Sequence, residues 1–254
     1  MWLTEYLTGN RKTYGMNRIG GVARDLPDDG VERIRPVIER IAAEAARVVD
    51  AIFDDGSLRA RLEGVGVLSQ QAARGYCVVG PTARGSGLDI DARRDHPFAA
   101  YDELDVEVCV EQGCDIWART MVRIRELLDS IKIVQQAMRQ LPGGPVMADV
   151  VEIPAYRIGV SSVEAPRGEV HHFSVTGPDN RPFRWRVRAP SYNNLQSIPA
   201  MLQGQSIADA PISVGSLDPC FSCTERIQTV DTSTGEIKTY RQEELLKIFR
   251  ERHS

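Results

Sequence analysis

The sequence lacks the marks of several common protein classes. It contains no apolar run approaching the roughly 18 to 20 residues that a membrane span requires. The opening "MWLTEYLTGNRKTYGMNR" lacks the basic, apolar and small-residue order of a signal peptide, which places the chain in the cytoplasm. Basic residues are not in excess: 31 Lys and Arg against 35 Asp and Glu leave a net charge of -4, so no nucleic-acid partner is expected. Histidines number four, and of five cysteines only Cys220 and Cys223 stand in a Cys-x-x-Cys pair. An odd thiol count without a secretion signal argues against a disulfide framework and for reduced thiols open to metal or redox chemistry. Internal repeats and low-complexity linkers are missing too, which excludes solenoids and arrays.

What is present is an ordinary globular composition, 42% hydrophobic and 26% charged over 254 residues. In residues 31–53, Val31, Ile34, Ile38, Ile41, Ala45, Val48 and Ile52 recur at steps of three and four, the apolar face of a helix with Pro36 in its first turns. A longer helix is expected over 114–141, with Trp117, Met121, Ile124, Leu128, Ile131, Val134, Met138 and Leu141 on one face before "PGGP" ends it. At about 1.5 Å per residue it spans roughly 40 Å. Between them "GPTARGSGLDIDARRDHPF" (80–98) reads as an ordered loop whose charges solvate or pair with one another. "HHFSV", the turn "TGPDN" and "FRWRVR" alternate as a hairpin does, with Phe183, Trp185 and Val187 toward a core and Arg184, Arg186 and Arg188 opposite. "SYNNLQSIPAMLQ" (191–203) and the closing "RQEELLKIFRERHS" read as helices. The expected fold is mainly α, a helical-bundle core with a small antiparallel β element.

The pair in "DPCFSC" (218–223) is the chemically pointed feature. A structural zinc site needs a second knuckle or closely spaced histidines. His171 and His172 are adjacent, and on a strand they would point to opposite faces. A thioredoxin-type redox pair wants a βαβ context that does not precede it. An iron-sulfur cluster normally takes four cysteines in one recognisable motif. Soft thiolates suit copper(I), zinc, iron or nickel, so the residues alone leave the metal open.

"DPCFSCTER" resembles the C-terminal metal-binding motif of nickel-iron hydrogenase large subunits, in the energy-converting, membrane-bound group related to the 49 kDa subunit of respiratory complex I. Four further stretches resemble the same group in order and spacing: "TGNRKTYGMNRIGGVARDL", "GPTARGSGLDIDARRDHPF", "DIWARTMVRIRELLDSIKIVQQAMRQLPGGP", and "EAPRGEVHHF" with "RVRAPSYNNLQ". The resemblance implies a nickel-iron centre with cyanide and carbonyl ligands on iron, with magnesium as a further ion. Cys220 would be a terminal nickel ligand and Cys223 would bridge the metals. Arg167, in "EAPRGE", would lie over the open coordination position, and Ser191, with Pro190 before it, would meet a cyanide. The complex I relatives have lost these cysteines, so the pair favours a hydrogenase over a quinone-reducing subunit; a non-catalytic scaffold is a third reading.

The family's other two cysteine ligands lie in an Arg-x-Cys-Gly-x-Cys setting that this sequence does not contain. The resemblance therefore implies a C-terminal portion of such a subunit: a truncated gene, a late start or a split subunit whose N-terminal portion is a separate chain. Cys109 and Cys114 as replacement ligands are disfavoured, because buried structural cysteines are far commoner. Glu164 and Glu169 either serve a proton path or pair with Arg167 or with exposed arginines. The implied partners are a small iron-sulfur subunit and membrane-arm subunits, which would hold the chain peripherally on the inner face of the membrane. Residues 1–226 would form the catalytic portion, and 227–254 an extension cut after Arg226 on maturation.

Overall fold

A computed structural model describes residues 1–12, 15–149, 152–224, 228–230, 233–240 and 242–253. The chain forms two compact units, Met1–Pro219 and Cys220–Ser254. The first begins with helix α1 (Trp2–Thr8) and a minimal hairpin of β1 (Asn17–Arg18) and β2 (Gly21–Val22). Then come α2 (Gly30–Asp54), α3 (Gly56–Leu62), α4 (Gln70–Gly75), α5 (Pro81–Arg84), α6 (Ala92–Asp95) and α7 (Ile116–Gln140). The strands β3 (Ile158–Ala165), β4 (Gly168–Thr176) and β5 (Pro182–Arg188) follow, and then α8 (Pro190–Asn194), α9 (Ile198–Leu202) and α10 (Ala210–Gly215). The second unit holds α11 (Phe221–Thr224), an antiparallel pair β6 (Gln228–Val230) and β7 (Ile237–Thr239), and α12 (Gln242–His253). The fold is mainly α with small antiparallel sheets, as expected.

Both long helices fall where their periodicity put them. Ile34, Ile38, Ala45 and Val49 form the buried face of α2, rotated from the expected one so that Val49 is covered and Val48 is not. The Asp115 carboxylate caps α7 by accepting from the Ala118 N–H at 2.8 Å. Val49 packs with Met121 and Ile124 of α7, and Ile52, Trp117 and Leu128 flank them. A second core gathers Leu68, Ala73, Val78, Ala83 and Leu88 from the α4–α6 region with Met201 and Leu217. Leu68 and Ala83 are completely buried there. The 191–203 stretch is not one helix: α8 and α9 are separated by a 3-10 turn over Leu195–Ser197, and Pro199 sits at the start of α9, where its missing N–H costs no bond.

The 80–98 segment is ordered but carries two short helices, α5 and α6, and much of it is buried. The expected hairpin exists, joined by a third strand, β3, which the sequence reading did not find. The order is β3-β4-β5, with Ala165 opposite Gly168, His171 opposite Arg188 and a register shift after Val175. One expectation fails. Phe183, Trp185 and Val187 do not face a core; they are 68%, 57% and 53% exposed. The helices that pack on the sheet are α6 on β3 and α8 on β4, and β5 is one of its two edge strands. Among the described residues no helix is long and apolar enough to cross a membrane.

Candidate functional site

Arg167 sits at the two-residue tip, Pro166-Arg167, that joins β3 to β4. Two glycines let this tip press against the start of α5. A Cβ on Gly80 would come within 2.4 Å of Gly168 Cα, and one on Gly168 within 2.6 Å of Gly80 N; both have positive φ, +66° and +125°. The buried Asn194 of α8 secures the junction. Its amide oxygen accepts from the Val79 N–H at 2.9 Å, and its amide nitrogen donates to Val79 O at 3.2 Å and Arg167 O at 3.3 Å.

The Arg167 guanidinium is clamped by Asp218. Nε donates to the Asp218 carbonyl and Nη2 to its carboxylate at 3.1 Å, which leaves Nη1 without a hydrogen-bond partner among the described residues. Asp218 adopts φ +51°, a left-handed conformation unusual for a non-glycine, and sterically restricted further by the proline that follows. Such strain persists only where the surroundings over-determine it, and here two bonds from Arg167 do so. Asp218 stands two residues before Cys220 in the chain.

Beside this clamp lies a cavity of ≈ 380 Å³ lined by, among others, Arg84, Arg93, Arg123, Glu126, Glu164 and Asp218. Arg84, 1% exposed, is its hub: Nε reaches Glu126 at 2.5 Å, and Nη1 reaches Glu164 at 2.9 Å, Ile90 O at 2.9 Å and Asp91 at 3.3 Å. Arg93 completes the group with a two-pronged contact to Asp91 at 2.9 and 2.6 Å. With Arg123 and Arg167, four guanidiniums thus balance the carboxylates of Asp91, Glu126, Glu164 and Asp218. That balance is what makes such burial tolerable, because an unmatched buried ion is expensive.

Burial drives the titration of these groups. It pushes Asp91 up, but the Arg93 hydrogen bond and the charges of Arg84 and Arg93 win and hold the carboxyl below its ordinary value. For Glu164, burial wins over Arg84 and the carboxyl lies above its ordinary range. Burial lowers Arg123 despite the attraction of Asp218 and Glu126. Glu169 is elsewhere, paired with Arg188 at 2.8 Å and His171 at 3.0 Å. Neither Glu164 nor Glu169 pairs with Arg167: Glu164 meets the buried Arg84 and Glu169 meets Arg188.

The remaining expected site residues divide by unit. Pro190 and Ser191 are buried in the first turn of α8, the same short helix that carries the Asn194 anchor. Cys220 and Cys223 are one helical turn apart, with the Cys223 N–H donating to Cys220 O at 3.0 Å, a spacing that puts both thiols on one side of the turn. Arg226 lies outside the described residues. Burial pushes the Cys109 thiol up to about 11 and raises Cys114 as well. Among the described residues no group of three or more His, Cys, Asp or Glu is placed to hold a metal ion. Among the described residues the Cys220–Cys223 pair offers two sulfur donors, fewer than a four-cysteine metal site takes.

Sequence reasoning missed Asp218, Arg84, Asp91 and Glu126. A signal was available for two of them: Arg84 and Asp91 both stand in the Gly-, Asp- and Arg-rich block 80–98.

The family model for the respiratory-chain NADH dehydrogenase 49 kDa subunit matches residues 1–157 and 151–226. The chain belongs to this 49 kDa family. Within it, the chain is 40% identical over 252 residues to formate hydrogenlyase subunit 5 of Escherichia coli, covering 99% of this chain and 44% of that protein. It is 32% identical to membrane-bound hydrogenase subunit alpha of Pyrococcus furiosus, covering 98% and 61%. It is 34% identical to an NADH-quinone oxidoreductase subunit of Geotalea uraniireducens, covering 86% and 63%. The chain spans about half the length of these relatives. The 49 kDa family thus includes proteins named for hydrogen chemistry and for quinone chemistry, and this chain resembles both.

Proposed function

We propose that the chain is a C-terminal portion of the catalytic large subunit of an energy-converting nickel-iron hydrogenase, an oxidoreductase that reduces protons to hydrogen or runs the reverse. The Arg167–Asp218 clamp carries the reading: it fixes a guanidinium, with Nη1 unbonded among the described residues, beside the segment that leads directly into Cys220. Cys220 and Cys223 would supply two thiolate donors to a nickel-iron centre bearing cyanide and carbonyl, and the other donors would come from outside these 254 residues. Ser191 and Pro190 would help to hold it. The centre, when present, supplies the redox chemistry. Arg167 presents fixed N–H donors, and Asp218 holds its planar fork in one orientation. The partners would be a small iron-sulfur subunit and membrane-arm subunits, with this chain peripheral on the inner face of the membrane. Residues 227–254 would be an extension removed after Arg226.

The test uses the complex purified from its native cells by a tag on a partner subunit. Nickel and iron in stoichiometric amount, infrared bands of iron-bound carbonyl and cyanide, and hydrogen turnover are expected, with all three lost in Cys220→Ser and Cys223→Ser. Arg167→Lys should keep the metals and slow turnover, because lysine retains charge without the fork. Intact-mass measurement should find this chain ending at Arg226. A complex that reduces quinone, holds no nickel and is indifferent to both cysteine changes would overturn the proposal in favour of the quinone branch.

A further inference from the structure

The edge strand β5 carries a pattern that these 254 residues do not use. Its sequence, "PFRWRVR", alternates apolar and cationic side chains as strictly as a half-buried strand does. Yet both sets are open to solvent: Phe183, Trp185 and Val187 on one face, Arg184 and Arg186 on the other, and neither arginine has an ion pair among the described residues. Among the described residues the strand also pairs on one side only, which leaves a row of backbone N–H and C=O groups open along its outer edge. Beside Trp185 lies a cavity of ≈ 640 Å³ lined by, among others, His172, Ser174, Pro182, Ile153 and Ile19. The Trp185 indole is fixed over it by donating to His172 Nδ1 at 3.0 Å.

Three demands therefore converge on one edge: hydrogen-bond partners for a strand, apolar cover on one face and negative charge on the other. A second copy of the chain meets only the first two. Two-fold antiparallel pairing of β5 with itself sets arginines opposite arginines, and like charges directly across a ladder repel. A strand with Asp or Glu at alternate positions and apolar residues between meets all three.

We propose that β5 is a docking edge for an extended strand, alternating acidic and apolar side chains, contributed by a separate polypeptide of the same complex. This rests on the reading that the chain works among partner subunits. It does not depend on the metal centre, and metal content and turnover are measured on the same preparation so that the two ideas fail separately.

The experiment places a photo-crosslinking benzoylphenylalanine at Val187 in the full protein in its native cells, with irradiation, purification of the complex and sequencing of the crosslinked peptide. The expected product is a peptide of a different polypeptide in which acidic residues recur at every second position. Its yield should be kept in R184K/R186K, fall severalfold in R184Q/R186Q and fall about tenfold in R184E/R186E, since two cross-strand ion pairs are lost and then reversed. Crosslinking within the same polypeptide, to a second copy or to nucleic acid would overturn the proposal. So would a peptide without alternating acids, or a yield indifferent to the two arginines. The glutamine pair, which introduces no new repulsion, decides the matter if the glutamate pair disturbs folding.

Discussion

The surroundings of Arg84 and the strand β5 invert the usual distribution of residue types. Around Arg84 the charges are inside: a guanidinium at 1% exposure meets three carboxylates, Asp91, Glu126 and Glu164. Along β5 the large apolar side chains are outside, although they lie on a strand of regular register. Polarity alone predicts neither. The charges are buried because each has a partner of opposite sign close by, and the apolar side chains of β5 find no cover among the described residues. Partnership, supplied in one region and lacking in the other, decides which surface is stable as it stands.

The largest effect is expected where that partnership is broken. Arg84→Ala would strand Glu126 and Glu164 without their cation, for a loss of about 3–5 kcal/mol in chemical denaturation. A loss under about 1 kcal/mol would mean that water reaches the carboxylates and that the group is not a buried network. Asn194→Ala removes the acceptor for the Val79 N–H and the donor to Arg167 O, with an expected loss of about 1–3 kcal/mol. In an assembled enzyme it should also slow turnover, by loosening the Arg167 tip.

A smaller effect follows from pH. Asp91 has its carboxyl pKa depressed on folding, so its stabilising contribution is present above the unfolded value of about 3.9 and is lost as pH falls through the folded value. Glu164 is raised and works in the opposite sense, gaining stability as pH falls through its folded pKa, fully so below about 4.3. Denaturation midpoints measured between about pH 3 and 7 should therefore fall less steeply on acidification in Asp91→Asn than in the unaltered chain, and more steeply in Glu164→Gln. The smallest effect belongs to β5. Trp185→Ser should change the stability of the chain by about 0.5 kcal/mol or less, as at any exposed position, while reducing recovery of the partner that crosslinks at Val187.

The sequence made the long helices legible because a covered helix face repeats at 3.6 residues; α2 buries such a face, while α7 buries Met121 and Ile124 of the expected face and leaves Val134, and Leu141 just past its end, exposed. It made β4 and β5 legible through alternation, and a helix after residue 241 through its charge-rich ending. It did not disclose β3, whose "IGVSSVEA" mixes small and polar residues without a clean period of two. Nor could alternation say whether the apolar face of β5 was covered, since a pattern records that burial is wanted and not who provides it. Within the site, motif resemblance singled out Arg167, Ser191 and the cysteine pair. Asp218 stood inside the same motif and was passed over, because its part depends on a left-handed backbone that turns its carbonyl and carboxylate together toward a residue 51 positions earlier. The Arg84 hub was hidden for a similar reason: its partners come from three separate stretches of chain.

The contact between Gly80 and Gly168 has a consequence for how the molecule tolerates change. Because main chain rests directly on main chain, the closest approach of the Arg167 tip to the start of α5 is set by backbone radii. Val78 and Ala83, on either side of Gly80, belong to the core around Leu68 and Met201, so a shift in that core reaches the tip through the same contact. The same rigidity makes the 80s loop a lever, so that a single residue inserted between Val79 and Pro81 would be transmitted undamped to the guanidinium.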